Sequence, residues 1–285
     1  METSPLARPL SARFIAGMTL AEALNAVRSV NQEGMTVSLD HLGEDITSLA
    51  EAEHFRTLYL QALREIDASK IEGNVSLKLT QFGLDLDEEA CLANVRQVVC
   101  EAARHKSFVR IDMESTAYTD RTLKIVYDLH AETGSCGAVI QSYLHRSEAD
   151  IEELNRRRIR VRLCKGAYLE PVAVAFQEKS DVDANFVKLM KILLERGNYP
   201  GIATHDEKMV RATIDFAKER QIGADRFEFQ MLYGIRRDLQ KKLRAQGYNV
   251  RVYVPFGEAW YPYFMRRLAE RPANVFFIAR NFFRG

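Results

Sequence analysis

Short runs of aliphatic and β-branched residues recur along the chain, each followed by a longer stretch whose apolar positions fall three or four apart. The runs are MTVSLD from Met35, NVSLKL from Asn74, FVRIDM from Phe108 and AVIQSYL from Ala138, then IRVRLC from Ile159, GIATH from Gly201, FEFQML from Phe227 and NVRVYV from Asn249. A helical period opens the pattern at Thr19–Gln32. It returns at Ile46–Ala68, Asp87–His105, Asp120–Thr133, Glu148–Arg156, Asp183–Arg196, Glu207–Arg220, Ile235–Ala245 and Trp260–Arg271. Asp87, Asp120 and Asp206 are the expected helix caps, because a short carboxylate accepts from the free amides of a first turn. Eight strand–helix units with no hairpin signal and no Pro/Gly-rich linker predict an α/β protein, a closed (β/α)8 barrel, with an open doubly wound sheet as the competing architecture. Residues 1–34 are expected to form an N-terminal helical segment packed on the barrel, and residues 35–285 the barrel itself.

A barrel of this kind carries its chemistry at the C-terminal ends of its strands, where the loops form a mouth. In strand order those ends supply Asp40, His41 and Glu44; Lys78; Asp112 and Glu114; Gln141 and His145; Arg162 and Lys165; Thr204, His205 and Asp206; Gln230 and Tyr233; Tyr253 and Glu258. Charges inside runs as apolar as VSLKL and RVRLCKG are costly unless paired or bound. Each taken singly has a plainer explanation. Lys78 or Arg162 could alternate outward from its strand, Asp112 could pair with Lys78 across neighbouring strands, and a lone His205 is more often a satisfied near-core imidazole than a ligand.

The 285 residues, 47% of them hydrophobic, can bury a large core. A net charge of +1 with basic and acidic residues intermixed gives no nucleic-acid surface. Four cysteines at wide spacing make neither a disulfide framework nor a metal knuckle, which fits a reducing cytoplasm. Six scattered histidines without an H-x-H pair argue against a metal site. No apolar run reaches the roughly 20 residues a bilayer crossing needs, and the N-terminal residues lack the hydrophobic core of a secretory signal.

The final helical stretch, YPYFMRRLAERPANVF, gathers Phe264, Met265, Leu268 and Ala269 on one side and Tyr263, Arg266, Arg267, Glu270 and Arg271 on the other. A solvated face laced by an Arg–Glu pair is one reading. An anion clamp is the other, since adjacent guanidiniums repel unless something negative lies between them.

Taken together, RLCKGAYLEP (Arg162 to Pro171), FEFQMLYGI (Phe227 to Ile235) and YPYFMRRLAERPANV (Tyr261 to Val275) resemble the proline dehydrogenase family, flavin-dependent enzymes of the first step of proline catabolism. The likeness runs in order from about Met35, through SLKLTQFGL and RIDMES, to the end of the chain. It implies a distorted (β/α)8 TIM-type barrel whose last helix lies over the C-terminal mouth. Lys78, Arg266 and Arg267 would then converge on the substrate carboxylate, Asp112 would balance that charge and orient Lys78, and Leu232, Tyr253 and Tyr263 would wall the proline ring.

The same resemblance implies FAD, with Arg162 near the flavin N5 and Lys165, Gly166, Ala167 and Tyr168 along the cofactor. Gln141 would reach the isoalloxazine edge, Thr204 and His205 the phosphate and ribityl region, and Lys179 and Glu258 would also meet the cofactor. Glu44 matches a family acid that pairs with Arg267 to gate the site. Leu169 stands where many members carry an aromatic residue after KGAY, so stacking on the adenine is expected to be weaker or supplied by another residue. The implied partners are L-proline, a quinone at the inner face of the membrane, and a downstream pyrroline-5-carboxylate dehydrogenase. The length leaves no room for the aldehyde dehydrogenase domain of bifunctional relatives, so a monofunctional enzyme is expected. Two other readings compete: a Schiff-base aldolase using Lys78 or Lys165, and a non-enzymatic barrel scaffold, which would leave a cationic mouth unexplained.

Overall fold

The computed structural model describes residues 14–43 and 46–260. Eight parallel strands close into a barrel in the order β1 to β8, each paired with its neighbours in sequence and β8 with β1. They are β1 (Thr36–His41), β2 (Gly73–Leu77), β3 (Val109–Ile111), β4 (Cys136–Gln141), β5 (Val161–Cys164), β6 (Gly201–Ala203), β7 (Glu228–Leu232) and β8 (Asn249–Phe256). Closure satisfies every strand edge, which the open-sheet alternative would have left unpaired. The last helical stretch, with Tyr263, Arg266 and Arg267, and the Glu44 position lie outside the described residues.

The helices are α1 (Leu20–Gln32), α2 (Leu49–Ala68), α3 (Glu88–Arg104), α4 (Thr116–Thr133), α5 (Ser147–Arg156), α6 (Lys179–Arg196), α7 (Glu207–Glu219) and α8 (Arg237–Ala245), with a short 3₁₀ turn at Thr80–Phe82. Helix α1 opens on a capping box in which Thr19 and Glu22 exchange side-chain and backbone bonds; it packs against β1 and β8. Asp87 caps α3 by accepting from the Ala90 amide, and Asp206 caps α7 by accepting from Lys208. Asp120 does not cap. Helix α4 already begins at Thr116, and Asp120 lies within its second turn in an ion pair with Arg146 at 2.7 Å.

The two faces of the strands are sorted by chemistry. Val75 and Leu77 of β2, Val109 and Ile111 of β3, Val161 and Leu163 of β5 and Phe229 and Met231 of β7 belong to the buried apolar core. The alternate positions carry Asn74 and Ser76, Arg110 and Asp112, Arg162, Glu228 and Gln230. Period-two alternation puts one set against the helices and the other inside the barrel. A barrel interior is usually filled by branched aliphatic side chains; here charged and amide groups occupy much of it.

Candidate active site

Hydrogen bonds between strands that are not neighbours can form only through the barrel interior, and they identify the inward residues. Arg162 on β5 donates from Nη1 to Ser76 Oγ on β2 at 3.1 Å and to Asp112 Oδ1 beyond β3 at 2.7 Å, and from Nε to Gln230 Oε1 on β7 at 2.5 Å. Asp112 also accepts from Ser76 Oγ at 2.8 Å and, through Oδ2, from the Tyr253 hydroxyl on β8 at 3.0 Å. The Arg162 guanidinium stands 5.2 Å from the Tyr253 ring centroid, within cation–π range. Arg162 is buried, and Asp112 and Tyr253, both half-buried, join it in one hydrogen-bonded unit; among the described residues the guanidinium Nη2 has no hydrogen-bond partner.

Burial, with Asp112 and Asp40 beside it, raises the Tyr253 phenol well above its ordinary value, so the hydroxyl is a donor throughout the physiological range. Lys78, just past the end of β2, lies 3.4 Å from Asp40. The lysine pairs with Asp40, while Asp112 is held by Arg162, Ser76 and Tyr253. Strand alternation offered a signal for Ser76 and Asp40, since Ser76 and Lys78 are two apart on one face and Asp40 shares the inward face with Ser38.

Beneath this unit a second polar layer continues toward the closed end. Gln230 Nε2 donates to Glu228 Oε1 at 2.6 Å, and the same oxygen accepts from Arg251 Nε at 2.7 Å. Burial alone would raise the Glu228 carboxyl, but Arg251 overrides it and holds the group below its ordinary value. Arg110 donates to the carbonyls of Ala138 and Arg160; burial, together with the charge of Arg162, pulls it down to about 9, so it stays charged at neutral pH.

At the mouth, the loop after β5 carries Lys165, Gly166, Ala167 and Tyr168. It is clasped at both ends by the loop after β4: Tyr143 donates from its amide to the Lys165 carbonyl at 3.0 Å and accepts at its carbonyl from Phe176 at 2.8 Å. Gly166 has φ +118°, and a Cβ there would lie 2.5 Å from the Tyr143 ring, so both the backbone and the space demand glycine. Glu170 ties the loop to a distant helix. Its carboxylate accepts from the Thr116 amide at 2.7 Å and from the Thr116 hydroxyl at 2.5 Å, capping α4, whose own Ser115 makes no side-chain cap bond.

Lys165 bridges Asp183 at 2.5 Å and Asp206 at 2.9 Å, and Lys179 joins the same two carboxylates. Burial would raise both aspartates, yet the Lys165 ammonium overrides it and holds them below their ordinary values. His205 Nε2 accepts from the Leu232 amide at 2.9 Å, which puts the ring proton on Nδ1. Thr204 is buried and accepts from the Asp206 amide at 3.1 Å, leaving its hydroxyl hydrogen to donate. Gln141, at the end of β4, donates from Nε2 to the Glu114 carbonyl at 2.8 Å, so its Oε1 remains an acceptor. Glu258 is exposed beyond β8, and Leu169 projects fully into solvent. The fold therefore gathers Lys78, Asp112, Arg162 and Tyr253 into one cluster and Lys165, Lys179, Thr204 and His205 into another, and leaves Glu258 and Leu169 at the rim.

The sequence model described as "Proline dehydrogenase" matches residues 23–280. Proline dehydrogenase 2 of Bacillus subtilis (strain 168) is 43% identical over 270 residues, 95% of this chain and 89% of that protein. Proline dehydrogenase of Deinococcus radiodurans is 42% identical over 281 residues, 97% of this chain and 91% of that protein. Among solved structures, the chain is similar to proline utilization A (PutA) from Bdellovibrio bacteriovorus inactivated by N-propargylglycine, with a TM-score of 0.85 and 27% identity. That match covers 91% of this chain and about a third, 32%, of the larger protein. Among the described residues no helix is long and apolar enough to cross a membrane.

Proposed function

This chain belongs to the proline dehydrogenase family, flavin-dependent enzymes that oxidise proline in proline catabolism, and from that premise we propose that its barrel mouth holds FAD and L-proline side by side. FAD, when bound, supplies the acceptor at N5 for a hydride from the proline ring C5, which yields Δ1-pyrroline-5-carboxylate, and a quinone later takes the electrons.

The observation that carries this reading is the buried Arg162, pinned through Nε and Nη1 with Nη2 unengaged among the described residues, on a strand end of a barrel of this family. A fixed cation there suits a flavin ring that gains electron density on reduction, because a charge held in place before the reaction needs no reorganisation during it. The donor set fits at two further points. Gln141 Oε1 is an acceptor for a ring N–H, and the Thr204 hydroxyl and His205 Nδ1–H are donors for the phosphate and ribityl end. Lys165, Gly166, Ala167 and Tyr168 would line the cofactor, with Glu258 at its rim, and Lys165 and Lys179, which pair with Asp183 and Asp206, would supply positive charge toward it.

Substrate is held by its carboxylate. Lys78, Arg266 and Arg267 provide the cations, since a planar guanidinium fork matches a carboxylate in two bonds. Leu232, Tyr253 and Tyr263 wall the ring, and Asp112 neutralises the cationic cluster while holding Arg162 and Tyr253 in place. Positioning C5 in this way removes most of the entropic barrier. The amine must be neutral before hydride leaves, and its proton passes to solvent. Glu44, paired with Arg267, closes the mouth over bound substrate. The product goes to a pyrroline-5-carboxylate dehydrogenase, and reoxidation by quinone takes place at the inner, cytoplasmic face of the membrane.

The aldolase alternative has nothing to favour it, because Lys78 and Lys165 both sit in ion pairs with carboxylates. Purified protein should be yellow, and anaerobic addition of L-proline should bleach the flavin band. Protein that carries flavin but keeps its spectrum unchanged with proline would end the proposal.

A further inference from the structure

Below the flavin-facing cation, the barrel holds a chain of side chains whose direction is set by hydrogen-bond chemistry. Glu228 is 4% exposed, and Gln230 likewise 4%. A carboxylate held ionised by Arg251 can only accept, so the Gln230 amide must present its NH2 to Glu228. Its carbonyl oxygen is thereby turned to the other side, where Arg162 Nε needs an acceptor. Had residue 228 been able to donate, the amide could invert and face Arg162 with its NH2, and donor would meet donor.

Packing leaves room for this amide without choosing its orientation. Gly201 on β6 lies across from this amide, and a Cβ there would come within 2.3 Å of Gln230 Nε2. Other partners fix Glu228 itself: Tyr199 donates from its hydroxyl at 3.4 Å, and Asn249 steadies Tyr199 at 3.1 Å. Arg251 in turn donates from Nη1 to the Val37 carbonyl at 2.7 Å. The relay thus starts on backbone at the closed end of the barrel and finishes on the guanidinium at its centre.

We infer that Glu228 and Gln230 are positioning residues for the redox step: Glu228 dictates the orientation of the Gln230 amide, and that amide fixes Arg162 against the flavin. The inference rests on the reading that places Arg162 at the flavin. Neither residue touches substrate, so their loss acts on the rate of flavin reduction and on the flavin potential, not on proline binding.

The test uses the flavin-loaded enzyme and reads kcat, KM for proline and the flavin midpoint potential. Gln230→Met removes the acceptor at no change in charge; kcat should fall about tenfold with KM held within about twofold, and the midpoint potential should drop as the cation beside the reduced ring loosens. Glu228→Gln, which lets the amide invert, should show the same split between kcat and KM. The exchange Glu228→Gln with Gln230→Glu should restore kcat and potential toward the parent values. In that variant the carboxylate at 230 accepts from Arg162 Nε and from the new amide, whose oxygen accepts from Arg251, and the net charge is conserved. Arg162→Lys serves as the control for the underlying reading. If it shifts potential and kcat while Gln230→Met and the exchange variant behave like the parent, the relay is wrong and the flavin site stands. If Arg162→Lys itself leaves the potential unmoved, Arg162 is not at the flavin and both fall. Should Glu228→Gln fail to fold, Gln230→Met carries the same readouts and decides alone.

Discussion

Asp112→Ala removes the carboxylate on which Arg162, Ser76 and Tyr253 all converge. The Arg162 and Asp112 side chains are 7% and 13% exposed, so neither charge can recover water when its partner is lost. Breaking a buried pair of this kind from one side costs about 3–5 kcal/mol, most of it the penalty of an uncompensated charge. For a domain of this size each kcal/mol moves the melting temperature by about 2 °C, so Asp112→Ala should lower it by about 6–10 °C. Arg162→Ala should cost somewhat less, because Ser76 and Tyr253 still donate to Asp112. The double variant leaves neither charge buried and should be less damaged than the two single losses added together, giving a coupling energy of about 2–3 kcal/mol. Urea unfolding of the flavin-free protein at neutral pH, followed by circular dichroism and tryptophan fluorescence, measures all four corners of the cycle. Additivity within about 0.5 kcal/mol would refute the claim that the two side chains form one energetic unit.

Three further outcomes rest on separate parts of the structure. Burial lowers His41 to about 4 from 6.5, against the opposing bond with the Leu42 backbone and helped by the charge of His54; its ring is wedged edge-on between Phe55 and Phe256. Between those two values the unfolded chain takes up a proton that the folded one refuses, so stability present above pH 6.5 drains away as pH falls toward 4, by at most about 3 kcal/mol. His41→Phe should abolish that part of the acid sensitivity, seen as a stability difference from the parent that changes between neutral and acidic pH; an unchanged difference would mean the imidazole is accessible. Gly166→Ala forces a Cβ into the Tyr143 ring at a φ of +118°, so the loop must move and the purified protein should retain much less flavin, while full flavin occupancy would show the loop conformation to be dispensable. Glu170→Ala strips α4 of its cap, at a cost of about 1 kcal/mol, and should speed hydrogen exchange at Thr116 and along residues 165–176; unaltered exchange there would show that the loop holds itself.

The alternation of aliphatic runs with helical periods along the chain was enough to predict eight strand–helix units, because strand and helix patterns depend on neighbours close in sequence, while the choice between a closed barrel and an open sheet rested on that count and was decided by the pairing of β8 with β1. The presence of Lys78, Asp112, Arg162 and Gln230 in apolar strands likewise marked an interior with chemistry in it, since a charge in such a place must be answered by something. What answers each charge was decided only by closure. Ser76 and Arg162 are 86 residues apart, and Asp112 and Tyr253 are 141 apart; no local pattern pairs them, and the shared interior does. The same cause brought Asp40 within reach of Lys78 and moved the start of α4 from Asp120 back to Thr116, where a carboxylate 54 residues away supplies the cap. Local sequence writes which groups must be satisfied, and the curvature of the closed sheet chooses their partners, because polar side chains bond across whatever distance the backbone has already folded to a few ångströms.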